Sequence, residues 1–257
     1  MTHLSFNPLS CVMLAYRKTW AERGYLAKMI IVPLLVKFLC YAVAVNYIGQ
    51  DNLLHIAFVM LPAYLIEGWF LSHWVRTVII NHRWPFRFSG DVAVDQKNIR
   101  QRARGVMGGL VCFALANFLI AGYFAYFVSL MPKDLNPENA TPETAIVGIA
   151  MIISSFALFR FIWAYIPVSL NISIQFFIHK FRKLSVTVPM ITVWLLCFVP
   201  FYLVMGGLSG LVNVDNTVTV LDGLDIFIQV VLDMIKNLVT TAAFAYVIIG
   251  INQKDIA

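Results

Sequence analysis

Charge is what this sequence has least of. Only 12% of its 257 residues are Asp, Glu, Lys or Arg, against about a quarter in soluble domains, so most of the chain is not built to face water. Chemical signatures are missing too. The four cysteines, Cys11, Cys40, Cys112 and Cys197, form no CxxC pair, and three lie inside apolar runs; small hydrophobes in a helical core explain them better than disulfides or metal. There is no HExxH and no pair of histidines four residues apart, no GxSxG, and no GxxxxGK[ST]. Those absences remove the motif-based cases for a zinc hydrolase, a serine hydrolase and a P-loop NTPase. No cofactor and no metal is therefore expected, and no enzymatic activity. No repeat of 20–50 residues is apparent either.

Apolar side chains fill the space that charge leaves. Hydrophobic residues are 60% of the chain and the mean hydropathy is +0.80. They gather in six runs, about 29–47, 53–75, 106–130, 144–168, 186–207 and 225–250, each long enough to cross a bilayer as a helix. The fold class expected is all-α: an integral membrane helical bundle of six transmembrane helices plus an N-terminal amphipathic interfacial helix. The division is 1–28 for the N-terminal amphipathic segment, 29–250 for the transmembrane domain and 251–257 for the tail. Ala42-Val43-Ala44 has the form of a signal-peptidase site, but the polar lead before it is long and Lys37 interrupts the apolar run, so 29–47 is read as a retained span. In the N-terminal segment, Asn7-Pro8 suits a helix start. Leu9, Val12, Met13, Tyr16 and Trp20 then line one face, which fits a helix in the headgroup plane or one docked on the bundle.

The basic residues are distributed unevenly. Fifteen of the 19 Lys and Arg fall on one side of the predicted membrane, one on the other (Lys133), and three inside spans. Short basic loops stay cytoplasmic, so both termini are expected inside, in agreement with an even span number, and a bacterial inner membrane is expected. The net charge of +6 thus reports orientation and contact with anionic headgroups, not nucleic acid. Arg17, Lys18, Arg87, Lys97, Arg100 and Arg104 are the expected headgroup contacts. After Gly90, Asp95 is a candidate cap for a short helix carrying Lys97, Arg100 and Arg104. A protein partner or self-association is also expected. Gly105/Gly109 and Gly206/Gly210 are GxxxG pairs, read as packing.

Five ionisable residues lie within spans: Lys37, Glu67, Arg160, Asp233 and Lys236. Each would cost about 2.5–3.5 kcal/mol unpaired at the bilayer centre, so they must pair, meet water or neutralise. The last span carries a polar line, Asp222, Asp225, Gln229, Asp233, Lys236 and Thr240, whose gaps of 3 or 4 keep all six on one helical face. Counting depth at about 1.5 Å per residue permits Lys37 with Asp233, and Glu67 with Lys236 or Arg160. Asn171 and the carbonyls freed near Pro167 are an alternative for Arg160. Gln229, Thr240 and Asn171 are the supporting polar residues.

Two functions fit. The leading one is a non-catalytic scaffold or subunit acting through protein or lipid partners, with the charges fixing helix register. The alternative is a small polar-solute or ion transporter, proton-coupled through Glu67 or Asp233; mid-span Pro33, Pro62, Pro167 and Pro200 fit interrupted helices. In layout alone, a short amphipathic N-terminus followed by a six-span bundle, the chain resembles small bacterial membrane proteins of the Yip-like families. That resemblance implies no residue roles.

Overall fold

The computed structural model describes residues 7–47, 53–86, 88–130, 142–180, 184–212 and 220–252, and among them every regular element is helical. Helix α1 (Pro8–Ala21) begins where Asn7 accepts a hydrogen bond from the Leu9 N–H with Pro8 behind it, a side-chain cap followed by a residue with no N–H to satisfy. Helix α2 (Arg23–Tyr47) is the first long apolar helix. The second is broken. Helices α3 (Leu53–Val59) and α4 (Leu61–Ile80) meet at an angle of 56°. Pro62 explains the break: it cannot donate to the carbonyl four residues earlier and its ring clashes there, yet it is favoured in the first turn of the helix that follows.

Helix α5 (Val92–Ser129) runs for 38 residues, about 57 Å at the α-helical rise, well beyond the ~30 Å of a hydrocarbon core. Its first turns therefore project from the apolar layer, and Lys97, Arg100 and Arg104 are exposed there. This corrects the expectation of a separate short helix capped by Asp95. The cap is Asp91, which accepts from the N–H groups of Ala93 and Val94. Asp95 instead folds back to accept from Ser89 and Gly90. The fourth span is α6 (Pro142–Leu158), a 3-10 stretch over Phe159–Ala164, and α7 (Tyr165–Ser169). Helix α8 (Ile174–Lys180) leads to α9 (Leu184–Val212), and α10 (Val220–Asn252) closes the bundle. Among the described residues five helices are long and apolar enough to cross a membrane, six if the bent pair α3–α4 is one span. The chain is a multi-span helical membrane protein.

Its hydrophobic centre is the second half of α10, where Ala242, Ala243, Phe244, Ala245, Val247 and Ile248 are all but inaccessible. Small side chains there let α1 pack closely against it. Helix α1 docks on α10 and α9 through Cys11, Val12 and Ala15, and the Tyr16 hydroxyl donates to the Cys197 carbonyl of α9. The face predicted for α1 is thus divided: Val12 and Tyr16 turn inward, while Leu9, Met13 and Trp20 are exposed. The two GxxxG pairs also separate. A Cβ on Gly105 would stand 2.6 Å from the Ser169 carbonyl oxygen, and one on Gly109 would collide with the Ser169 and Ser72 hydroxyls, so α5 can cross α4 and α7 only because these residues are glycine. A Cβ on Gly206 would meet nothing within 4 Å, and Gly210 lies outside the residues whose side chains are described.

Candidate functional site

Four charged side chains meet between α2, α4 and α10. Each arrives there by helical spacing: Asp233, Lys236 and Asn237 sit three and four residues apart on α10, which brings them to one face. The buried Lys37 ammonium donates to Glu67 Oε2 at 2.7 Å and to Asp233 Oδ2 at 2.5 Å. Lys236 donates to the other carboxylate oxygen of Asp233. Asn237 Nδ2 donates to Glu67 Oε1 at 2.7 Å and reaches Asp233 Oδ2 at 3.3 Å. Two cations and two anions therefore cancel, and every carboxylate oxygen accepts at least one hydrogen bond, which is what a low-dielectric interior demands of buried charge.

Exposure is graded across the cluster. The side chains of Glu67 and Lys37 are 2% and 9% accessible, whereas those of Lys236 and Asp233 are 22% and 32% accessible. The accessible side opens on a cavity of about 420 Å³, whose wall also includes Tyr41, Tyr64, Asn117 and Gln229. All four charged side chains contribute to its wall, the outer pair being the more accessible, and the space is large enough for water or a small solute.

Lys37 and Asp233 meet as the depth count permits; among the described side chains Glu67 takes Lys37 and Asn237 as partners, not Lys236, and the alternative with Arg160 falls outside the described side chains. The broken helix accounts for this. A segment turned by 56° advances along the original axis by only about half its length, so counting α3 at the full ~1.5 Å per residue places Glu67 too far from the level of Lys37. Gln229 bonds to Asp225 at 2.7 Å, one turn back along α10. Thr240 donates to the Lys236 carbonyl of its own helix. Asn171 is not brought to the cluster: it sits in a turn with φ of 61° and donates to the Gln101 carbonyl. Among the expected headgroup contacts, Arg17, Lys97, Arg100 and Arg104 are exposed and Lys18 pairs with Glu22 at 3.2 Å. Arg87 and the Arg160 side chain lie outside what is described.

A second group of buried charge was counted in the sequence as loop residues. Arg76 is 3% accessible inside α4, and its Nη1 donates to the Ser169 carbonyl at 2.8 Å. Arg102 is 5% accessible and its Nη2 donates to the Arg83 carbonyl at 2.6 Å. Arg102 also lies over the Trp84 ring at 5.6 Å, and His73 packs between Trp69 and Trp84. Among the described residues no carboxylate pairs with either arginine. The carbonyls that hold them end α7 and follow α4, where a helix carries its negative partial charge and its unsatisfied acceptors. Asn237, Asn117 and Tyr64 were also passed over. Asn237 was within reach, since it lies one helical turn beyond Asp233.

The fold and this cluster together define a class, a multi-helix membrane protein with a balanced charge cluster beside a half-open cavity. No family model, curated protein or solved structure matches the chain.

Proposed function

We propose that this protein is a non-catalytic carrier for a small charged or polar solute, with Lys37, Glu67, Asp233 and Lys236 forming the solute site. The observation that carries the reading is the cavity of about 420 Å³ that reaches Asp233 and Lys236. A scaffold whose charges serve only to fix helix register has no need of solute-sized space beside them. Coupling to a proton follows from the geometry of Asp233. Its protonation releases Lys236 and leaves Lys37 on Glu67, so an anion can enter at Lys236 with one proton and no net charge added to the membrane interior. In this reading both termini are cytoplasmic, because fifteen of the 19 Lys and Arg fall on one side of the spans expected from the sequence. On that side the exposed Lys97, Arg100 and Arg104 contact anionic headgroups.

The scaffold or subunit reading keeps one observation in its favour: α1 presents Leu9, Met13 and Trp20 on an exposed face, which a protein partner or lipid would cover. Reagent access separates the two. In a cysteine-free background, a membrane-impermeant sulfonate thiol reagent is expected to modify Gln229→Cys, which lines the cavity, in sealed vesicles and to spare Met234→Cys, whose position is inaccessible and lies outside the cavity wall. Failure to modify Gln229→Cys from either side of the membrane would remove the carrier reading and leave the scaffold.

A further inference from the structure

The charged cavity has a neighbour. A second cavity, of about 530 Å³, lies on the other side of Phe113, Asn117, Lys236 and Asn237, which line both. Its character is different. Phe159, Trp163, Tyr165, Trp194 and Phe198 contribute to its wall, and several are held by ring contacts: Phe159 edge-on to Trp194 at 5.7 Å, Trp194 stacked on Phe198 at 4.7 Å, and Trp163 stacked on Phe244 at 3.9 Å. Rings fixed in this way form a preshaped, half-open apolar recess.

Lys236 stands between the two spaces. Its ammonium donates to Asp233 on one side and lies over the Phe198 ring, 5.4 Å from the centroid, on the other. An ammonium has three donors, and among the described residues one of these three is matched to an oxygen. Lys37 has two of its three matched, while all four carboxylate oxygens of Glu67 and Asp233 already accept. Two of the three Lys236 donors are therefore without a matched oxygen among the described residues, and Lys236 lines the wall that the two cavities share. Trp163 lines this cavity through its ring; its indole N–H is buried away from the open space and has no acceptor among the described residues.

We propose that the two cavities are one site for an anionic amphiphile: a carboxylate or phosphate head at Lys236 and a flat, ring-sized apolar body among Trp163, Trp194 and Phe198. This rests on the carrier reading and names its substrate class. The head meets the free ammonium donors, and the body replaces water or lipid against the rings. Head and body are each weak ligands alone, and joining them makes the second contact intramolecular. A small inorganic ion would use the first cavity and leave the second without a role.

Titration calorimetry on the full chain in phosphatidylcholine nanodiscs, with empty discs subtracted, tests the proposal. The probes are acetate, naphthalene-2-carboxylate and its neutral counterpart naphthalene-2-methanol. Naphthalene-2-carboxylate is expected to bind at least about tenfold tighter than either, the order that burying one ring or pairing one charge contributes. Trp194→Ala is expected to narrow the ratio between naphthalene-2-carboxylate and acetate, and Lys236→Gln to narrow that between naphthalene-2-carboxylate and naphthalene-2-methanol. Repeating the titration in phosphatidylglycerol discs identifies the source of the head: weakened binding there means that a lipid competes for the site, unchanged binding that the anion is a soluble one. Equal affinity for acetate and naphthalene-2-carboxylate, with binding that still depends on Lys236, overturns the amphiphile and keeps the carrier. Absence of any Lys236-dependent carboxylate binding overturns both.

Discussion

Two groups of charge are buried in this bundle, and they are buried by different means. Around Arg76 and Arg102 the compensating groups are backbone carbonyls at helix ends and the faces of aromatic rings. The surroundings are so close that Gly105 could not carry a Cβ without standing 2.8 Å from the Arg76 guanidinium. Around Lys37 and Asp233 the compensating groups are full opposite charges, and the outer members border open space. Helix-end carbonyls are fixed by the fold and cannot trade partners, so the arginines fasten α4, α5 and α7 together. Carboxylates can exchange one ammonium for another or take a proton, so the lysine–carboxylate cluster is able to change state. Burial of charge alone does not mark a functional site; replaceable partners beside a cavity do.

The comparison is broken most sharply at Lys37. Lys37→Met leaves Glu67 and Asp233 without their shared cation, a buried charge imbalance worth about 3–5 kcal/mol. The denaturation midpoint in detergent should fall steeply, and Asp233→Asn in the same chain should restore part of it. An Arg76→Met change should cost less, about 1.5–3 kcal/mol for the lost charge-assisted hydrogen bond to Ser169, and should leave thiol-reagent access at Gln229→Cys as in the parent. Loss of that access with Arg76→Met would mean that the two regions are not independent.

The smallest expected effect is at Glu22, outside the spans, where Lys18 and Arg83 donate at 3.2 and 2.8 Å. Burial pushes the Glu22 carboxyl up, but hydrogen bonds from Lys18 and Arg83 outweigh it and hold the group below its ordinary value. A depressed carboxyl contributes stability above its unfolded-state value and loses that contribution as pH falls through the folded-state value. Unfolding free energies of the parent and Glu22→Gln should therefore differ at pH 7, by under about 1 kcal/mol for so exposed an arginine partner, and converge as the pH falls below the carboxyl's folded-state value.

Much of this was legible in the chain. Long apolar runs announce spans because lipid forces each to be a helix, and interior charges announce that partners exist. What misled the reading were local events. Arg76 looks like a loop cation because span ends are normally basic, yet α4 continues to Ile80 and encloses it. The level of Glu67 was miscounted because one proline bends the helix before it. Asn237 was overlooked because an uncharged amide carries no penalty large enough to draw notice beside Asp233.

By itself, then, the sequence determined that the chain is helical, where its membrane-length helices lie, and that Lys37, Glu67, Asp233 and Lys236 require company. Those follow from a one-dimensional quantity, the cost of placing each residue in lipid. Only the tertiary structure decided that Lys37 holds two carboxylates at once, that α1 docks on α9 and α10, and that two cavities share Lys236 as a wall. Helix rotation, tilt and the bend at Pro62 set those distances, and none of the three is written in how apolar a segment is.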